Sequence, residues 1–448
     1  MPEAFPSDAE AEARVAGGPA GDGRADRRGL PLLTIDPPGS RDLDQALAIA
    51  QAPSGYRVHY AIADVAALVA PGGALDREVR KRGVTVYMPD RRSPLHPDAV
   101  GEGAASLLPG VDRDALLWTI DLDRKGEPVA VGLERARVRS RRALGYPQAQ
   151  QEIDGRDADA TLGLLREVGQ LRQEREADRG GVSLTVPVQE VAGDEADGYR
   201  LHYEVPLPVE GWNAQISLLA GIAAARIMVE AGLGLFRVLD PPEERDLTAL
   251  RTSALALGVA WPEGARYGDV VRSLDPRRPG DAAFAVRAAR LFRGAGYAMW
   301  RREDGDPPVH GAIVAAYAHV TAPLRRLADR FANELVLALA AGATPPAWAL
   351  EGLPEMPARM AETGGRARAA ERAAIDYVEA VLLAPRLGEV FDAVVVDVRD
   401  GRATVQVTDP AVIAPLDGGG ARPGTRVRAR LTVADPVERR VRFAIASS

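Results

Sequence analysis

LLTIDPPGSRDLDQALAIA, residues 32–50, crowds three carboxylates around one turn. An apolar run ends at Asp36, a Pro-Pro-Gly turn follows, and Asp42 and Asp44 lead into a second apolar run. Pro37 holds Asp36 extended, and the turn brings the later pair back beside it. Carboxylates so placed repel one another. Mg²⁺ or Mn²⁺ relieves such crowding, orients water and steadies charge on a phosphoryl oxygen. An isolated Asp-x-Asp is more often a solvated acidic turn, so the loop alone leaves both readings open.

Outward from this loop, short apolar runs broken by Gly, Pro and Asp turns continue to about residue 147, which describes a β-rich half. Helical spacing takes over at 146–173 and 213–230 and dominates to about 383. From 388 onward, EVFDAVVVDV, GRATVQVT, TRVRARLTVAD and RRVRFAIA alternate with turns, as a five-stranded OB barrel requires. Residues 1–29 show no hydrophobic period and read as a flexible arm. The expected organisation is an α+β domain over 30–385 followed by a small all-β domain over 386–448.

Composition narrows the function classes. The chain has 448 residues, 46% hydrophobic and 27% charged, a globular balance. The absence of cysteine excludes disulfides, thiolate zinc sites and a cysteine nucleophile. No apolar leader or 18-residue apolar run is read, so a cytoplasmic location away from membranes is expected. A net charge of −7 argues against a general polyanion coat without excluding a local groove.

TIDPPGSRDLDQAL resembles the signature of the ribonuclease II (RNB) family, TIDxxxARDxDDA. The likeness continues, in order, through AIADVAALVAPGGALDREVRKRGVTVYMPDRRSPLHPDAV, VRSRRALGYPQAQ and HGAIVAAYAHVTAPLRRLADR. It covers about residues 31–383. The resemblance implies RNA threaded down a channel to a buried acidic site, and processive 3′-to-5′ hydrolysis to nucleoside 5′-monophosphates. The C-terminal strands are similar to an S1 domain, a usual companion in this family.

Carried over by motif, the resemblance makes Asp36, Asp42 and Asp44 metal ligands for Mg²⁺, with Mn²⁺ an alternative, and Asp44 the acid on which catalysis depends most. The fourth family acid is Gln45 here, which offers one neutral carbonyl oxygen and no charge. AYAHVTAPLRRLADR places the family's catalytic arginine on Arg325, a clamp for the scissile phosphate. Tyr87 matches the tyrosine that stacks on the 3′-terminal base, and Leu184 stands where its partner phenylalanine is expected. Glu371 matches a glutamate near the 3′ nucleotide. Paired family glutamates appear as Ala214 and Gln215.

In LERARVRSRRAL, read as a strand, Arg135, Arg137, Arg139 and Arg141 share one face. That row either tracks a phosphate backbone or is solvated. The last 61 residues carry 9 Arg against 8 acids and only Phe391 and Phe443 as aromatics, a weak RNA platform. The family commonly carries two cold-shock domains ahead of the catalytic domain, and 30 residues hold neither. Either a shorter, more open approach to the channel or reliance on another subunit is expected, admitting single-stranded RNA and duplexes with a 3′ overhang. A competing reading is an RNA-binding protein of the same fold with weakened catalysis. A hydrolase of small phosphodiesters is a third, with no support beyond the acidic loop.

Overall fold

The computed structural model describes residues 4–16, 23–155, 159–184, 188–193, 198–275, 278–399, 401–418 and 420–446. Helix α1 (Ser7–Val15) precedes strands β1 (Ala25–Asp26), β2 (Leu33–Asp36), β3 (Gln45–Ala52) and β4 (Gly55–Ala63). Then come α2 (Ala74–Arg82), the short hairpin β5 (Val86–Tyr87) and β6 (Arg92–Ser93), and the strands β7 (Asp112–Asp123), β8 (Pro128–Arg139) and β9 (Arg142–Gly145). Apart from β5 and β6, these strands form one sheet in the order β1-β8-β7-β4-β3-β2-β9. Its two faces differ in side-chain size. Leu47, Ile49, Val58, Tyr60, Ile62 and Trp118 line one face, while Ala46, Ala48, Ala61 and Ala115 line the other. The large face accepts a helical layer, and the alanine face closes over Leu32, Leu43 and Leu107.

That layer begins with α3 (Tyr146–Asp154) and α4 (Ala160–Arg179). The single helical run read at 146–173 is two helices, because Asp159 caps the second by accepting from Thr161 N–H at 2.8 Å. The hairpin β10 (Val188–Ala192) and β11 (Arg200–Glu204) leads to α5 (Pro208–Ala231). By length and composition α5 could cross a bilayer, although Arg226 and Glu230 interrupt its apolar run. It is the central core helix, burying Ile216, Leu219, Ala220, Ala224 and Met228. Strand β12 (Leu233–Val238), helices α6 (Glu244–Leu257), α7 (Tyr267–Arg272) and α8 (Pro279–Ala288), and strand β13 (Gly296–Arg301) follow. β12 and β13 pair across some 60 intervening residues, a contact that local periodicity cannot show. The helices α9 (Leu327–Ala340), α10 (Ala347–Gly352) and α11 (Met356–Leu383) end this part.

Strands β14 (Val390–Arg399), β15 (Arg402–Val407), β16 (Val412–Asp417), β17 (Arg426–Asp435) and β18 (Arg440–Ile445) close into the expected five-stranded barrel. Phe391 and Phe443 pack edge to face inside it at 5.8 Å, so neither offers a ring to RNA.

The flexible arm expected over 1–29 requires correction. Residues 1–3 and 17–22 lie outside the described residues, but α1 is a docked helix. Ala9 and Ala13, four residues apart, are buried in the main core. Glu12 accepts from Ala74 N–H (2.7 Å) and Leu75 N–H (2.8 Å), capping α2. β1 joins the sheet beside β8.

Candidate active site

The Pro-Pro-Gly turn closes with Ser40 N–H donating to Pro37 O at 3.2 Å and Gly39 at φ +82°, where glycine carries no steric cost. Asp36 therefore ends β2 while Asp44 immediately precedes β3. Asp36, Asp42, Asp44, Gln45, Tyr87 and Arg325 all line one cleft of about 840 Å³.

Asp44 is 3% exposed. Its Oδ1 accepts from Leu324 N–H at 2.7 Å, and its Oδ2 lies 3.5 Å from Arg325 Nε. The segment 321–326 is held in place by the neighbouring arginine. Arg326 makes two hydrogen bonds to Asp329 (2.9 and 2.8 Å), and Asp329 Oδ2 also accepts from Ala322 N–H at 2.7 Å. Arg326 is thereby structural. Arg325, 45% exposed, stays free to meet a ligand in the cleft, two residues before α9 begins.

Burial pushes the Asp44 carboxyl up to about 8, against the opposing pull of Arg325 and the Leu324 amide. Burial likewise raises Asp36 to about 6; Arg325 opposes the shift and nearby Asp42 adds to it. Among the described residues Asp36 Oδ2 is buried with no hydrogen-bond partner. Asp42 is tied differently. Arg92 Nη1 lies 3.1 Å from its Oδ1, and the Tyr87 hydroxyl lies 3.4 Å from its Oδ2.

Gln45 does not offer its carbonyl to the cleft. That oxygen accepts from the Tyr60 hydroxyl and from Ser217 Oγ (3.3 Å), so the glutamine is anchored to the core. Ala214 lines the cleft without a polar group, and Gln215 turns away to donate to Glu176 at 2.5 Å. Asn213, missed by motif reading, lines the cleft and donates to Ile35 O at 3.3 Å. Arg92 and Glu102 also line it and carry no motif. A charge pair brought together from a hairpin strand and a separate helical turn leaves no local signal.

Three expected RNA contacts are not gathered here. Leu184 packs beside Val182, Leu250 and Phe284 and does not line the cleft, because Val182 N–H is held by Ala312 O at 2.7 Å. Glu371 lies on α11, also outside the cleft lining. The arginine row is a set of ion pairs: Arg139 with Asp112 (2.6 Å), Arg137 with Asp114 (3.2 Å), and Arg135 with Asp64 (3.3 Å) and Glu334. Asp112 and Asp114 sit directly opposite their arginines on β7. Arg141 lies past the strand end and is exposed. Its amide donates to Leu32 O at 2.7 Å.

Among the described residues, one trio of acid or histidine side chains brings ligand atoms within 4.8 Å of one another: Glu190, His202 and Glu204, exposed on the β10–β11 hairpin. The three cleft aspartates stand farther apart.

Fold and site together define an α+β domain with one acid-and-arginine cleft, followed by an OB barrel. The chain belongs to the RNB family: the RNB domain matches residues 24–341, and the RNase II-type exonuclease C-terminal S1 domain matches 389–446. It is 26% identical over 476 aligned residues to ribonuclease R of Escherichia coli strain K12, covering 95% of this chain and 58% of that relative's length. The structure of Mycoplasma genitalium RNase R in complex with ribose-methylated single-stranded RNA superposes with a TM-score of 0.88 at 19% identity, covering 99% of this chain and 76% of that one. Yeast Ssd1, described as a pseudonuclease, superposes with a TM-score of 0.70 at 17% identity, covering 97% and 53%.

Proposed function

We propose that this chain is a divalent-metal-dependent 3′-to-5′ exoribonuclease that hydrolyses RNA to nucleoside 5′-monophosphates in the cytoplasm. The observation that carries the reading is the buried, unpartnered Asp36 Oδ2 in the same cleft as Asp44 and Arg325. A buried carboxylate oxygen without a donor, beside a second buried carboxyl whose ionised form a cation would stabilise, is a donor set suited to a hard cation. Asp36 and Asp44 would hold Mg²⁺ or Mn²⁺, which when bound activates water and offsets charge on the phosphoryl oxygens. Arg325 directs its guanidinium at the phosphate, where negative charge grows as the P–O3′ bond breaks. Tyr87, 44% exposed at the rim, offers its ring to a terminal base, and stacking accepts all four bases.

RNA binding without cleavage is the second reading, since a pseudonuclease shares this fold. Retention of Asp44 and Arg325 in one cleft favours the enzyme. With 5′-labelled single-stranded RNA and Mn²⁺ or Mg²⁺, progressive 3′ shortening that chelation stops is expected. Bound but intact RNA would establish the second reading.

The raised acids also give a test without RNA. Their protonated forms stabilise the fold fully below about pH 4, and that contribution is lost as pH rises through about 6 for Asp36 and about 8 for Asp44. Melting temperature without metal should therefore decline across this window. Cation binding requires the ionised forms, so Mn²⁺ should raise the melting temperature more at pH 8.5 than at pH 5.5. Equal shifts at both pH values would remove Asp36 and Asp44 as ligands.

A further inference from the structure

The cleft carries more positive charge than an acidic cation site requires. Five carboxylates line it (Asp36, Asp42, Asp44, Glu102 and Glu210), but so do four arginines (Arg41, Arg92, Arg325 and Arg326). As Arg325 is set against one expected metal ligand, Asp44, Arg92 is set against another, Asp42. It stands on β6 directly across from Tyr87 on β5, and Met88 N–H donating to Arg91 O at 2.8 Å closes the hairpin turn between them. From there it reaches Asp42 on one side at 3.1 Å. On the other side it pairs closely with Glu102 and lies 3.7 Å from Asp98. Glu102 is in turn held by Arg41 at 3.0 Å. Both Asp42 oxygens therefore face side-chain donors, Arg92 and the Tyr87 hydroxyl, whereas Asp36 Oδ2 faces none and Asp44 Oδ2 meets only Arg325, at 3.5 Å.

We infer that Arg92 withholds Asp42 from the divalent cation, so that the ion is held through Asp36 and Asp44, and Asp42 joins only when Arg92 turns wholly to Glu102. A guanidinium holds carboxylate oxygens through its planar fork, so Arg92 competes with the cation whenever it faces Asp42. Glu102 is the alternative partner that makes release feasible without stranding a guanidinium. Gln45, fastened to Tyr60 and Ser217, supplies no replacement charge. Arg92 is thus a positioning residue that sets how tightly this chain holds metal. The inference rests on the metal-binding reading above.

Calorimetric titration with Mn²⁺ at pH 8, in the absence of RNA, decides it. Arg92→Met should bind Mn²⁺ about tenfold more tightly than wild type, the scale of one charge-assisted hydrogen bond removed from competition. Simple removal of a positive charge would also tighten binding, so the same substitution is made in Asp42→Asn. There it should change affinity by less than about twofold, because the residue through which it acts is gone. Glu102→Gln, which confines Arg92 to Asp42, should weaken binding about threefold. This separate substitution keeps the question open to test even if Arg92→Met folds poorly. Equal tightening in both backgrounds, no tightening in Arg92→Met, or unchanged binding in Glu102→Gln overturns the inference and leaves the metal reading intact. A wild-type chain that binds no Mn²⁺ overturns both.

Discussion

With asparagine at position 44, RNA turnover is expected to fall by about 10³-fold, the scale of removing a principal group that stabilises transition-state charge. The substitution is nearly isosteric. The amide oxygen can still accept from Leu324 N–H, so segment 321–326 keeps its anchor. What disappears is the charge facing Arg325. RNA affinity, measured by fluorescence anisotropy without metal, should stay within about threefold, since binding of a polyanion depends on many phosphate contacts. An uncharged amide also escapes the burial penalty, so without metal at pH 8.5 the variant should melt no lower than wild type. Turnover within tenfold of wild type would take the acidic loop out of the chemistry.

The second large effect separates two adjacent arginines. Arg325→Ala should lower turnover at saturating RNA by about 10²–10³-fold with little change in melting temperature, because the side chain is half exposed and meets Asp44 only at 3.5 Å. Arg325→Lys should recover a small part, since an ammonium is a point charge without the planar fork. Arg326→Ala should behave in the opposite way. It leaves Asp329, which is fully buried, without its guanidinium, and breaking such a pair costs about 3–5 kcal/mol. Chemical denaturation and single-turnover kinetics on both variants distinguish these outcomes. A folded, stable Arg325→Ala with undiminished turnover would leave the phosphate without its clamp and sink the proposed role.

Much of the fold and of the cleft is legible in the amino-acid sequence. Strand alternation locates β2, β3 and the barrel, and the resemblance locates Asp36, Asp42, Asp44, Tyr87 and Arg325, all of which meet in one cleft. The failures share a cause. Period-two spacing correctly puts Arg135, Arg137 and Arg139 on a shared face, but Asp112 and Asp114 become their partners only through the β7–β8 register. Arg92 and Glu102 belong to separate short elements, and neither carries a recognisable pattern. Gln45 is placed by its motif within reach of a metal, whereas Tyr60, fifteen residues on in β4, claims its oxygen. The docked α1 does leave a signal, with alanines at 9 and 13 and a Glu10–Arg14 pair one turn apart, but a short polar segment gives that signal little weight.

The hydrogen bond from Leu324 to Asp44 joins residues 280 positions apart in the chain. Arg325 comes from the same distant segment, which is held by Arg326 and Ala322 on Asp329 at the start of α9 and by Thr85 N–H donating to Arg325 O at 3.0 Å. Until that stretch has left the ribosome, the acidic turn has neither its anchoring amide nor its guanidinium. Since domains form as they emerge, with the N-terminal part first, the carboxylates are placed early and the arginine late. A nascent or truncated chain ending before residue 321 would carry the metal-binding acids with no clamp for phosphate. Under the proposed function, the chain would in this way stay inert toward RNA until that segment had emerged from the ribosome.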